Sequence, residues 1–482
     1  MVDTPTCILE VRTTGDDTNG GGFDNGVASP GTDYSQQDSA QITYTDLVID
    51  NFDNTKVTSA ANPFDSTCPG NLINISSGFP FNGGVYVVES VSGSTAKLSS
   101  VVGNTGSTGG HGKLGGAYQT LSQATNNMMI GGQIVYMKGG TYQISSGILP
   151  PLIVGSSTYT SLGRIVGYST IRGDGGRITI QATGGSVMFS ASSSATWTST
   201  LSWENIVFDG NSTTVRCIDC NLPAFVQLQF LNCIFKNFAG TYIIGGSLNE
   251  FAGGLNIQRC EFTNNALSGG STGGIVFFSC NGSYPEAALS VTESYFANNS
   301  VGQSSVCAAI YVAGAGVNIA RNIIYNNTGT NMSGILLRSP GAGCVQNNDI
   351  VSNTLAGITL IADTGPNVSI TNNIISGSAT GITGSWATTP TILAINHNAY
   401  WNNTTNKSGF TAGSGEVSLS SSPFVSAGTN FALNSTAGGG LACQGAGTPG
   451  SIGLSSVVGT GSLDIGALQH GASSGGAFTF VD

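Results

Sequence analysis

The stretch RNIIYNN at residues 321–327 decides how this chain folds, because it returns as NNDIVSN (347–353), NNIISGS (372–378) and HNAYWNN (397–403). Looser copies precede it: ENIVFDGN (204–211), LNCIFKNF (231–238), QRCEFTNN (258–265) and TESYFANN (292–299). The large apolar residue of each copy falls at Phe208, Phe235, Phe262, Phe296, Ile324, Ile350, Ile375 and Tyr400, in steps of 27, 27, 34, 28, 26, 25 and 25 residues. A drifting period of this size marks stacked coils, each a supersecondary unit unable to bury its apolar face alone.

Other short β-rich pieces keep fixed places around the phrase. Alternating pairs precede it, such as Leu255 and Ile257, Val317 and Ile319, or Val368 and Ile370. Gly-Ile pieces follow about ten residues later, as in GILLRS at Gly334 and GITLIA at Gly357. Alternation over a few residues between Gly, Asn and Ser turns is the mark of half-buried strands. Three such strands per coil, with no helical spacing, predict an all-β parallel β-helix.

Two places before the reference residue stand Ile206, Cys233, Cys260, Ser294, Asn322, Asn348, Asn373 and Asn398. Residues two apart on a strand share a face, so this column points inward with the apolar one. Four successive Asn there predict an amide ladder, each side chain bonding the next coil. Asn in this column also suits the left-handed turn between strands. One place earlier, Arg259, Glu293 and Arg321 stack with alternating sign, which reads as a surface ladder pinning register.

Charged residues are only 8% of the 482, and Gly numbers 71. Net charge is −11, and the first 70 positions are acidic, so nucleic-acid binding through a basic patch is excluded. The opening MVDTPTCILEVRTTGDD has neither the basic start nor the apolar core of a signal or membrane segment, so no membrane partner is expected. Cys233 and Cys260 occupy one inward column in adjacent coils, about 4.8 Å apart by strand spacing. That distance permits a disulfide; a buried thiol stack is the favoured reading, since nothing in the sequence marks an oxidising compartment.

The amino-terminal part is organised differently. Residues 7–28 read as a strand and a Gly/Asp turn, and Ala117, Leu121, Ala124 and Met128 lie at the spacing of a short capping helix. Between them, AQITYTDLVID, TKVTSA, NLINISSG, GVYVVESV and STAKLSSVV read as five strands of a small antiparallel module inserted at 36–110. The expected division is a strand and cap turn at 1–35, that module, a β-helix at 111–425, and a carboxy-terminal cap and tail at 426–482.

TTGDDTNGGG, TLSQA from Thr120, GGQIVYMKGGTY from Gly131 and SLDIGALQH from Ser462 together resemble the right-handed β-helix proteins of the pectate-lyase-like superfamily. The resemblance implies a right-handed parallel β-helix and says little about activity. The D-Y-S-Q-Q-D segment and the inserted module resemble uncharacterised bacteriophage proteins, some of them virion components. GGAFTFVD from Gly475 looks like a tail able to pair with a neighbour's edge.

Enzymes of that superfamily use clustered carboxylates, as Ca²⁺ ligands or as glycosidase pairs. Within 225–405 the acidic residues Glu250, Glu261, Glu286, Glu293, Asp349 and Asp363 recur in no common column, and no catalytic residue is assigned. His111 sits in what reads as the flexible loop GSTGGHGKLGG. Asp209 and Asp219 near Arg216, and Asp174 in IRGDGGR, are the remaining enzyme candidates, with solvated turns as the plainer reading. Asp16, Asp17, Asn19 and Asp24 gather oxygen ligands in one Gly-rich turn, which suits either a Ca²⁺ site or a hydrogen-bonded cap turn. Outward-placed Tyr325 and Trp401 are candidates for stacking on a glycan.

These features favour a structural component of a phage-like particle, a fibre, spike or surface decoration, made in the bacterial cytoplasm and carried on the particle surface. Its expected partners are other virion proteins, further copies of itself (a trimer by analogy) and a surface polysaccharide. A polysaccharide lyase or glycoside hydrolase is the alternative, and a surface adhesin the third reading. Alkylation after unfolding without reductant is expected to label both Cys233 and Cys260 in the intact mass. A linked pair overturns the thiol reading.

Overall fold

The computed structural model describes residues 7–127, 133–145, 163–191, 200–213, 215–220, 227–245, 253–268, 273–280, 287–302, 306–362, 367–386, 392–411, 413–448 and 463–469. The fold is a right-handed parallel β-helix with a short capping helix and an inserted antiparallel module. The chain divides into two compact units. The first comprises Met1–Ile144, Ile148–Gln181 and Ala195–Val207, the second Ser145–Gly147, Ala182–Ser194 and Phe208–Asp482. No helix among the described residues is long and apolar enough to cross a membrane.

In the second unit each coil contributes one strand to each of three parallel sheets. The first sheet takes the alternating pieces, such as Gly254–Gln258, Ala288–Thr292, Gly316–Ala320 and Asn367–Thr371. The second takes the Asn phrase itself, as Glu261–Thr263, Tyr295–Ala297, Ile323–Tyr325, Asp349–Val351, Ile374–Ser376 and Ala399–Trp401. The third takes the Gly-Ile pieces, including Gly273–Ser279, Cys307–Ala313, Met332–Arg338 and Ala356–Ala362.

Register follows the expected columns. Phe235 pairs with Phe262, Phe262 with Phe296, Phe296 with Ile324, and so on to Tyr400. All are buried, and the rings of Phe208, Phe235, Phe262 and Phe296 stack face to face at 4.9, 4.5 and 4.5 Å. Offset stacking of this kind adds to the area buried.

The Asn ladder forms as expected. Asn322, Asn348, Asn373 and Asn398 are fully buried. The Nδ2 of each donates to the Oδ1 of the next at 3.0, 2.9 and 2.9 Å, and each backbone N–H donates to that same oxygen. The last rung donates to Glu416 Oε1, whose second oxygen faces Lys407 Nζ at 3.3 Å.

A second ladder, not expected from the sequence, runs three places after the reference residue. Asn265, Asn299, Asn327 and Asn353 are buried and joined Nδ2 to Oδ1 at 2.8, 2.7 and 3.1 Å.

The left-handed turns fall elsewhere than expected. They lie one place before the ladder, at Asn232, Arg259, Glu293, Arg321, Asn347, Asn372 and His397, all with φ between 52° and 59°. A second left-handed corner follows the strand at Asn237, Asn264, Asn298, Asn326, Ser352 and Asn402. Each three-residue strand is thus set between two sharp corners, and the Asn of the ladders sit just inside or just outside them. Arg321 and Glu293 form the expected inter-coil pair at 2.6 Å, while Arg259 is exposed.

Cys233 and Cys260 are buried thiols that are not bridged, with Sγ donating to Leu231 O and Gln258 O at 3.4 Å each, in accord with the stack reading.

In the first unit, Cys7–Val11 pairs antiparallel with Gly22–Asp24 and parallel with Ile134–Lys138, which pairs in turn with Gly163–Tyr168. The helix is shorter than the expected spacing: it covers Leu121–Asn126, with Thr120 as N-cap. Ala117 lies before it and Met128 outside the described residues.

The inserted antiparallel module is a closed six-stranded barrel, one strand more than the five segments read from the sequence. Its order is Ile42–Ile49, Lys56–Thr58, Thr95–Leu98, Gly84–Ser92, Leu72–Ser77 and Gly110–Leu114. The closing strand GHGKL is the segment read as a flexible loop. Gly110 and Gly112 occupy its buried positions, which erases the apolar alternation from the sequence. A Cβ at Gly110 would lie 2.5 Å from the Phe81 ring. The module therefore ends at 114 rather than 110, and His111 is an exposed strand residue.

Asn348→Leu is expected to lower stability by about 1–3 kcal/mol, because the amides on either side lose partners in a buried site. An unchanged thermal melting curve contradicts that role for the ladder.

Candidate functional site

The densest constellation of chemically capable side chains lies in the first unit, on the outer face of its first strands. Leu9 and Val11 point into the coil, so Glu10 and Arg12 point out. Glu10 is nonetheless fully buried. Its Oε1 accepts from Arg12 Nε at 3.0 Å and from the Tyr168 hydroxyl, and its Oε2 accepts from Arg172 Nε at 2.8 Å.

Arg172 also meets Asp33 at 3.0 Å and Ser35 Oγ at 2.8 Å, with its guanidinium 5.0 Å over the Tyr136 ring. Arg12 reaches Asp38 at 3.3 Å. Burial, then the charge of Glu10, pushes the Tyr168 phenol above its ordinary range.

Two guanidinium groups thus face three carboxylates, one of them wholly enclosed. A buried charge is tolerated only when paired and hydrogen-bonded. The arrangement fastens the 33–38 segment and the 169–176 turn onto the first strand. The R-G-D tripeptide is therefore turned inward at Arg172. Asp174 accepts from the backbone N–H of Ser169, Thr170, Ile171 and Gly176, which holds its carboxyl far below the usual range.

A smaller constellation lies in the second unit. Arg216 meets Asp219 at 2.8 Å, the Tyr242 hydroxyl donates to Asp219 at 2.9 Å, and the guanidinium lies 5.2 Å over the Tyr242 ring. Phe277 stacks on Tyr242 at 5.9 Å and Tyr311 on Phe277 at 4.9 Å, continuing to Leu336 in the third sheet. Burial and the neighbouring Asp219 raise the Tyr242 phenol, so it is a hydrogen-bond donor rather than a base. Asp209 is held separately by Asn211 N–H at 2.8 Å and Asn237 Nδ2 at 3.0 Å.

In the turn read as a Ca²⁺ site or a cap turn, the four residues take separate hydrogen-bond partners. Asp16 takes Lys113 Nζ at 2.7 Å, a contact that with the Thr18 hydrogen bonds lowers its carboxyl to about 2. Asp17 accepts from the N–H of Gln119 and Thr120 and from the Thr120 hydroxyl, fixing the start of the helix. Asn19 donates to the carbonyls of Asp38 and Ala117, and Asp24 accepts from Gly26 N–H. Among the described residues no three His, Cys, Asp or Glu side chains gather as a metal site.

Tyr325 is covered by its own chain, edge-on to Phe431 at 5.5 Å, so its ring is not a free platform. Trp401 is half-buried in the neighbouring part of the same sheet. Glu250, Glu286, Asp363 and the Gly475 tail lie outside the described residues.

Sequence reasoning missed the Glu10 cluster, whose members are spread from position 10 to 172. The available signal was a carboxylate within the apolar strand CILEV, which calls for a partner.

No protein-family model matches the chain, and no curated protein sequence does. Among solved structures it is similar to the A-module of Azotobacter vinelandii mannuronan C-5 epimerase AlgE6, at 14% identity and a TM-score of 0.25, covering 62% of this chain and 93% of that one. The A-module of the Azotobacter vinelandii epimerase AlgE4 is similar at 14% identity and a TM-score of 0.25, covering 58% and 90%.

Arg172→Leu is expected to destabilise the protein by about 3 kcal/mol, since it strips the buried Glu10 of one of its two cations. Arg172→Lys is expected to recover only part of this, because an ammonium cannot bridge Glu10, Asp33 and Ser35 as a planar fork does. Equal melting temperatures for all three proteins contradict the lock.

Proposed function

We propose that this chain is a structural component of a bacteriophage or phage-like particle: a fibre, spike or surface decoration. The observation that carries the reading is the pair of buried Asn ladders, which bond coil to coil through much of the second unit. Every rung satisfies a buried amide and a backbone N–H together, so loosening one coil leaves polar groups unpaired in its neighbours. That construction suits endurance at a particle surface.

The polar side chains best placed for chemistry are tied up in the same way, in inter-coil pairs such as Arg321–Glu293 or in the lock around Glu10. The opening segment's resemblance to phage proteins supports the same reading.

The barrel is the proposed attachment module to another particle protein. Phe52 and Phe79 are almost fully exposed, on loops joined by the hydrogen bonds Val102 N–H to Asn54 O and Asn82 N–H to Val102 O. Exposed aromatic residues gathered at one end of a small domain suit an interface.

The alternative, a polysaccharide-active enzyme, is favoured by the Arg216–Asp219–Tyr242 group beside its aromatic column, which joins a cation, a carboxylate and a phenol within hydrogen-bond reach.

Light scattering after size exclusion separates the two. A salt-resistant mass of three 48.8 kDa chains, or a higher symmetric multiple, is expected for a spike, fibre or shell component. A monomer that shortens or desaturates a polysaccharide, and loses this activity in Asp219→Asn, reverses the assignment.

A further inference from the structure

Asp349 precedes the inward Ile350, so its side chain leaves the coil on the outer face of the second sheet, between Ile323 and Ile374. Such a position is ordinarily wet, yet Asp349 is 1% exposed. The cover is a segment of its own chain. Phe424, Phe431, Cys443, Ile465 and Ala467 form one apolar cluster with Ile323, Val351 and Ile374. Ala467 N–H donates to Asp349 Oδ1 at 3.1 Å, while the buried Oδ2 receives no hydrogen bond.

The fit is close. Gly466 has φ +112°, and a Cβ there would lie 2.7 Å from both Asp349 Oδ1 and Ile374 Cδ1. Further bonds hold the segment, among them Gly466 N–H to Asn372 O at 2.8 Å, Ile465 N–H to Cys443 O at 3.0 Å, Gly447 N–H to Leu463 O at 2.7 Å, and Asn347 Nδ2 to the carbonyls of Asp464 and Gly466. Among the described residues no cation balances the site. The titratable groups beside it are Cys443 and Asp464, whose charged forms are both negative, and the flanking strands present Ile323 and Ile374.

We propose that Asp349 is a protonation-controlled latch for residues 463–469: its neutral carboxyl permits the segment to close, and its ionisation releases the segment and uncovers Ile323, Val351 and Ile374. The latch does not depend on the functional reading above.

Burial, opposed by the single Ala467 hydrogen bond, pushes the Asp349 carboxyl up to about 8. With the segment open the group meets water and returns towards about 4. The closed form therefore holds a proton that the open form releases as pH rises through that window. Closure is most stable below about pH 4, weakens about tenfold per pH unit, and levels off above about pH 8.

Hydrogen exchange followed by mass spectrometry at pH 5 to 9, corrected for the intrinsic rate of each amide, reads this opening directly. In the wild-type chain the protection of peptides spanning 463–469 is expected to fall about tenfold per unit between about pH 5 and 8. It is expected to stay flat in Asp349→Asn, and strand 254–258 is expected to stay flat in both. Flat protection in the wild type, or an equal fall in Asp349→Asn, overturns the latch. If Asp349→Asn does not fold, Asp464→Asn and Cys443→Ser decide: a fall kept in both supports Asp349, and a fall lost in either overturns it.

Discussion

The hydrogen bond from one buried Asn to the next, passed coil to coil, is the constraint on which the second unit depends. An amide donates and accepts, so a column of them satisfies itself without charge and without water. Within a ladder the geometry demands an Asn at one position in each turn, and the second ladder keeps that position from Asn265 to Asn299 across a step of 34 residues. Length varies in the connections, whereas the short strand between two left-handed corners does not. The corners admit Asn readily, and also Arg, Glu, Ser and His, all in the left-handed region.

The parts legible in the sequence were those that repeat. Phe262, Ile324 and their equivalents gave the period, the sheet and the register, and the column of Asn322 to Asn398 gave the first ladder. The second ladder was visible in the last Asn of the same phrase, but two consecutive Asn read as a turn. Only the backbone separates Asn264, at the corner with φ 56°, from Asn265, which is buried. The closing strand of the barrel stayed hidden because Gly at its inner positions removes the apolar signal while fitting the packing. The Glu10 lock stayed hidden for a different reason. Its residues come from three segments, and no local pattern brings Asp33, Tyr168 and Arg172 to one carboxylate. Tyr325 was read correctly as outward, but the segment that covers it begins about a hundred residues later.

Two buried carboxylates, Glu10 and Asp349, are handled in opposite ways. The first unit encloses a fully buried carboxylate by surrounding it with guanidinium groups and phenols, and so binds the entry segment to the first strand. The second unit joins its coils by neutral amides and stacked rings, and where it buries Asp349 no cation stands beside it among the described residues. One arrangement is stable because the charge is compensated; the other is stable while the charge is absent.

The ladders also have a direction. Each amide sends one hydrogen to the oxygen of the next Asn in the later coil and accepts on its own oxygen from the earlier one, while its second hydrogen returns to an earlier carbonyl; the first ladder ends at Glu416, which accepts and passes nothing on. A whole coil duplicated between Asn322 and Asn398 would meet an acceptor ahead and a donor behind, just as its neighbours do. Beyond Glu416 a new coil would find a carboxylate facing it with no hydrogen to offer. The chain can thus change its number of turns from within, and a single carboxylate marks where such growth must stop.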